Sequence, residues 1–72
     1  MAASMKNLPM ALLRAFVSVA QLNSFTKAGE ILGRSQPAVS LQIQRLEELV
    51  DEPLLSRIGK NLELTEAGES LY

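Results

Sequence analysis

The feature that most constrains this chain is its punctuation. Residues suited to starting or stopping a helix recur at short intervals: Asn23-Ser24, Gly33-Arg34-Ser35, Asp51 and Thr65. The segments between them have room only for short helices. The first opens at Asn7, Leu8 and Pro9 and carries Leu13, Phe16, Val17 and Ala20 at helical spacing. Proline costs little in a first turn, where its missing N–H would be unpaired anyway. This helix is predicted to stop near Leu22, with Asn23 in a left-handed closing position. Ser24 can cap a second helix over Phe25–Leu32 through its hydroxyl, and Gly33 ends it. Ser35 caps a third, with Gln36 and Pro37 in its first turn. Val39, Ile43, Leu46 and Val50 form its inward stripe, Leu49 sits half exposed beside that stripe, and Asp51 follows as a turn.

After Asp51 the pattern changes. Residues 53–57 read as a short strand, 62–64 as its partner, and 58–61 as the connection, with Gly59 and Asn61 supplying turn conformations. Thr65 can cap a last helix whose Glu66 and Glu69 suit the positive end of its dipole. That helix is short enough for fraying to be expected near Tyr72. The fold class is therefore mainly α: three helices, then a two-stranded hairpin. Two short helices joined by a tight glycine turn and followed by a hairpin make a winged helix-turn-helix. Ala28 and Gly29 are small enough for the second and third helices to approach closely. Phe16 and Phe25 read as core residues.

Composition narrows the chemistry. With 72 residues the chain is one domain at most. It has neither cysteine nor histidine, so thiolate metal sites and the commonest general base are absent. It lacks a nucleophile–base pair and a phosphate-cradling glycine loop, which argues against an enzyme. The apolar run around residues 10–20 is broken by Arg14 and is too short for a membrane span. A reducing cytoplasm fits these features. The net charge of −1 counts against a nucleic-acid partner, but its distribution softens the objection. Lys27, Arg34, Arg45, Arg57 and Lys60 lie mid-chain, whereas Glu47, Glu48, Asp51 and Glu52 cluster together. That acidic cluster reads as a solvated face or a partner surface. Arg45 is open between pairing with Glu48 or Glu52 and touching a phosphate.

On the third helix the stripe leaves Gln36, Pro37, Ser40, Leu41 and Gln44 near the outward face. Glutamine can pair with adenine N6 and N7 in a major groove, and serine with either purine. At this point the residues resemble the LysR-type transcriptional regulators. The resemblance rests on Ser24-Phe25-Thr26-Lys27-Ala28, Ser35-Gln36-Pro37-Ala38-Val39-Ser40 and Arg45-Leu46-Glu47-Glu48. Pro53-Leu54-Leu55 with Arg57, Gly59 and Lys60 follows, and Leu64-Thr65-Glu66-Ala67-Gly68 closes it. Their order and spacing together are specific.

The resemblance implies a bacterial repressor or activator that binds double-stranded DNA. Residues 1–6 would be a disordered amino-terminal segment and 7–64 the winged helix-turn-helix, with a recognition helix at about 35–50. Residues 65–72 would start a linker helix that pairs two such domains into a homodimer or tetramer; whether this chain alone is a monomer stays open. No cofactor is expected here, because a small-molecule inducer would bind an effector domain outside the chain. The resemblance also implies roles. Gln36, Pro37 and Ser40 meet DNA from the recognition helix, beside Ser35 and Gln44. Thr26 and Lys27 lie near a phosphate. Arg57 is a basic position in the wing strand, and Lys60 is the wing residue that dips into a minor groove.

Four residues depart from the family pattern. Leu41 stands where arginine is frequent, exchanging a base or phosphate contact for an apolar one with a thymine methyl. Arg34 stands in the turn where an apolar residue is usual, within reach of a phosphate. Gly29 replaces alanine and should loosen its helix by about 1 kcal/mol. Asp51 replaces a glycine at a left-handed exit. A winged-helix module that binds protein is the competing reading. Polar groups at the groove-reading positions Gln36 and Ser40 favour DNA.

Overall fold

A computed structural model describes residues 8–59 and 61–72. The expected amino-terminal segment 1–6 and the wing residue Lys60 lie outside the described residues. In order, the chain forms α1 (Met10–Leu22), α2 (Phe25–Leu32), α3 (Gln36–Val50), β1 (Leu55–Ile58), β2 (Asn61–Leu64) and α4 (Glu66–Leu71).

The helix boundaries follow the sequence punctuation. Asn23 closes α1 at φ 53° and Asp51 closes α3 at φ 59°, both left-handed. Gly33 closes α2 at φ 69°, where a side chain would be strained. The Ser24 hydroxyl accepts the Lys27 N–H at 3.1 Å, and the Ser35 hydroxyl accepts the Ala38 N–H at 3.3 Å. Each bond satisfies one of the donors that a helix start leaves without a partner.

Helices α1, α2 and α3 pack on one another. Their shared core is Ala15, Phe16, Val19, Ala28, Val39, Ile43 and Leu46, joined by Leu8 and by Leu54 from below the wing. Phe16, as expected, is fully buried. Phe25 is half-buried: it packs against this core and also lines the groove between α2 and the hairpin. Gly29 needs correction. It is buried, and a Cβ there would stand 2.6 Å from the Arg34 carbonyl oxygen. The Arg34 N–H donates back to the Gly29 carbonyl at 2.8 Å. The glycine lets the turn close on α2, which offsets its poor helix propensity.

The hairpin is antiparallel, with Leu55 opposite Leu64 and Ile58 opposite Asn61. It is displaced from the expected 53–57 and 62–64. Pro53 and Leu54 are not in the strand, whereas Ile58 and Asn61 are. The reason is where Leu54 spends its groups. Its side chain is buried in the core, its N–H donates to Glu47 Oε2 at 2.7 Å, and its carbonyl accepts the Thr65 N–H at 3.0 Å. The bond to Thr65 continues the register by one pair, but with the Leu54 N–H given to Glu47 the reciprocal bond to the Thr65 carbonyl is not made and the ladder ends there.

Thr65 ties the far end. Its hydroxyl donates to the Pro53 carbonyl at 2.6 Å and accepts the Gly68 N–H at 3.0 Å. A Cβ at Gly68 would meet the Leu54 carbonyl oxygen at 2.1 Å, so glycine allows α4 to approach the wing base. Tyr72 packs edge-on against Phe16, centroids 6.3 Å apart. These contacts tie α4 to the wing base and to α1.

Candidate nucleic-acid interface

Helix α3 presents one face to the core and the opposite face to solvent. At about 100° per residue, Leu41 lies roughly 160° round the helix from both Val39 and Ile43, directly opposite the stripe. Pro37 and Gln44 both lie on one side of it, about 40° and 60° away, and Gln36 and Ser40 turn further round toward the hairpin. Gln36, Pro37, Leu41 and Gln44 are exposed and Ser40 is half-buried.

Two grooves run along this helix. On the hairpin side, Thr26 from α2, Gln36 from α3 and Arg57 and Leu62 from the wing line one depression. Its continuation holds Ser40, Gln44, Ser56 and Arg57 over Phe25. The structure therefore brings together five of the expected residues, Thr26, Gln36, Ser40, Gln44 and Arg57, from three elements. On the α1 side, Arg34, Leu41 and Arg45 share a second groove with Pro9, Leu12 and Ala38. Arg34 and Leu41 thus belong to a different flank from Gln36. Lys27, Ser35 and Pro37 are exposed but line neither groove.

Within the hairpin-side groove, Gln36 Nε2 donates to the Ser40 hydroxyl at 2.6 Å. One amide hydrogen of Gln36 is used there. Its second amide hydrogen and its Oε1 remain, the pair that matches adenine N7 and N6. The Ser40 hydroxyl, already accepting, keeps its own hydrogen to donate outward. The i,i+4 spacing that brings the two side chains together was visible in the sequence.

Charge is unevenly spread along α3. No acidic residue occurs between Glu30 and Glu47, while Glu48, Asp51 and Glu52 are exposed at the carboxy end beside Glu47. The amino end keeps its positive dipole without a carboxylate to neutralise it, which suits an approaching anion.

Sequence reasoning misjudged Glu47. It is half-buried, and its Oε2 accepts the N–H groups of Leu54 at 2.7 Å and Leu55 at 3.4 Å. It is neither a solvated acid nor a partner surface; it fixes the angle between α3 and the wing. The signal was its place beside the inward stripe, next to Ile43, where a solvated carboxylate has no reason to stand. That oxygen, on the lining of the hairpin-side groove, is thus occupied by two backbone N–H groups.

The three-helix body with its hairpin defines a winged helix-turn-helix protein. The profile of the bacterial regulatory helix-turn-helix proteins of the lysR family matches residues 10–69, and the chain belongs to that family. It is 57 % identical over 60 residues to the HTH-type transcriptional regulator BudR of Raoultella terrigena, covering 83 % of this chain and 21 % of that protein. A LysR-family transcriptional regulator from Eggerthella lenta superposes with a TM-score of 0.85 at 36 % identity, covering 89 % of this chain and 91 % of the other. The BenM DBD in complex with catB site 1 DNA superposes with a TM-score of 0.84 at 40 % identity, over 90 % of this chain and 73 % of that one. The chain spans about a fifth of the BudR relative's length.

Proposed function

We propose that this chain binds double-stranded DNA as the DNA-binding domain of a bacterial transcriptional regulator. The observation that carries the proposal is the groove formed by Gln36, Ser40, Gln44, Thr26 and Arg57, on the acid-free half of α3, in a chain similar to one solved on DNA. In this reading the amino half of α3 enters the major groove, where Gln36 and Ser40 read base edges. Pro37 and Gln44 pack against the groove wall. Thr26 and Lys27 at the start of α2, with Ser35 and Arg34 in the turn, meet backbone phosphates. Arg57 and Lys60 carry the wing along the neighbouring minor groove, a known use of basic side chains.

The relatives named above are regulators, and nothing in the groove assembles a nucleophile with a base, so the proposed role is binding without catalysis. Self-association through a helix continuing from α4, an inducer bound outside this chain and a cytoplasmic location belong to the same proposal. Among the described residues no helix is long and apolar enough to cross a membrane.

The test is a titration against random duplex DNA at two salt concentrations. Affinity should fall by roughly 0.9 log units per phosphate contact for each log unit of salt. Absence of binding at low salt, or binding indifferent to salt, would refute the proposal and favour a protein partner.

A further inference from the structure

We propose that Leu41 reads the 5-methyl group of a thymine, held over the base edge by Arg34 and Arg45 on flanking phosphates. The inference rests on the DNA-binding reading above and names a base feature that Gln36 and Ser40 do not sense.

Leu41 is 47 % exposed and points directly away from the core. It is an apolar residue at the position of α3 that would penetrate deepest if this face entered a groove. About half of its surface stays in water, where a leucine gains nothing. Its surroundings select the occupant. The groove it shares contains Arg34 and Arg45, both exposed, and no carboxylate. The start of α1 borders the same groove at Pro9, with no side chain capping it and no acid in its first turn, so its dipole adds to the positive field. An apolar protein surface would have to desolvate these two guanidinium groups without neutralising them. A DNA duplex supplies both requirements at once: phosphates for the arginines and, in the major groove, one kind of apolar base substituent, the thymine methyl. Leu12 and Ala38 add apolar surface to the groove beside Leu41, while Gln42, the remaining polar side chain of its lining, is half-buried.

The test begins by enriching duplexes from a random-sequence library with this chain. The best duplex is then resynthesised with each thymine in turn replaced by deoxyuridine, which lacks only the methyl. For the unchanged chain, one replacement should lower affinity about fourfold, the effect of losing one buried methyl-sized group. Leu41→Ala should bind the thymine and deoxyuridine duplexes equally at that position, while Gln36→Ala should keep the fourfold difference. Leu41 is exposed and alanine is the better helix former, so the variant retains its fold, checked by circular dichroism. A fourfold difference that persists in Leu41→Ala, or no thymine whose methyl matters, would overturn the inference while leaving DNA binding intact. A library that yields no enriched duplex would overturn the DNA-binding reading itself, and this inference with it.

Discussion

The three-helix body and the wing are held together by different physics. The body is a side-chain core: Phe16, Val19, Val39 and Leu46 are fully buried, and their helical spacing dictates which faces meet. The wing contributes one such residue, Leu54, and the outer part of β1 is exposed throughout. Its placement depends on backbone groups caught by two polar side chains, Glu47 and Thr65, and on the missing side chain of Gly68. Burial is undirected and tolerates small shifts, whereas these hydrogen bonds fix a direction. A recognition surface built from α2, α3 and β1 needs both, because a wing at the wrong angle would take Arg57 away from Gln36.

This difference can be broken from either side. The largest effect is expected for Phe16→Ala, about 3–5 kcal/mol of lost stability from transfer and cavity terms. In a chain this small, urea denaturation should show that most of the folded population is lost. A variant that keeps its unfolding midpoint would mean that the body is not the source of stability.

Gly68→Ala comes next. The added Cβ meets a backbone oxygen that cannot rotate away, and overpacking of this kind costs about 1–3 kcal/mol. Hydrogen exchange should accelerate in α4 and the strands and stay slow in α1. Uniform acceleration would show that the wing and body unfold as one unit.

Glu47→Ala leaves the part-buried Leu54 N–H without a partner, at a cost of about 1–2 kcal/mol. Its sharper readout is functional: DNA affinity should fall with the helical circular dichroism signal unchanged. Unchanged affinity would mean that the wing angle does not matter for binding. The smallest effect is expected for Ser24→Ala, about 1 kcal/mol from the lost cap of α2, measured by thermal unfolding.

The same contrast explains what could be read from the sequence. The body was legible because caps and apolar stripes are local signals: Asn23, Ser24, Gly33, Ser35 and Asp51 each act within a few residues of their position. The start of β1 was missed because the Leu54 N–H is taken from the ladder by Glu47, seven positions earlier on another element. Gly29 looked like a weak helix residue because the Arg34 carbonyl that requires it is placed by the turn. The groove-facing residues were legible as a set, through helix periodicity. Their division into a hairpin flank with Gln36 and an α1 flank with Arg34 and Leu41 was not, since it depends on which elements border α3 on each side.

The central claim is that the acid-free half of α3 and the wing form one DNA-binding face. The most direct measurement is an amide chemical-shift titration of the labelled chain with duplex DNA at low salt. The account predicts shifts concentrated at Thr26, Lys27, residues 34–45, Arg57 and Lys60, with Glu48, Asp51, Glu52 and α4 unmoved. Shifts centred on the acidic end of α3 or on α4, with Gln36 and Arg57 silent, would contradict it.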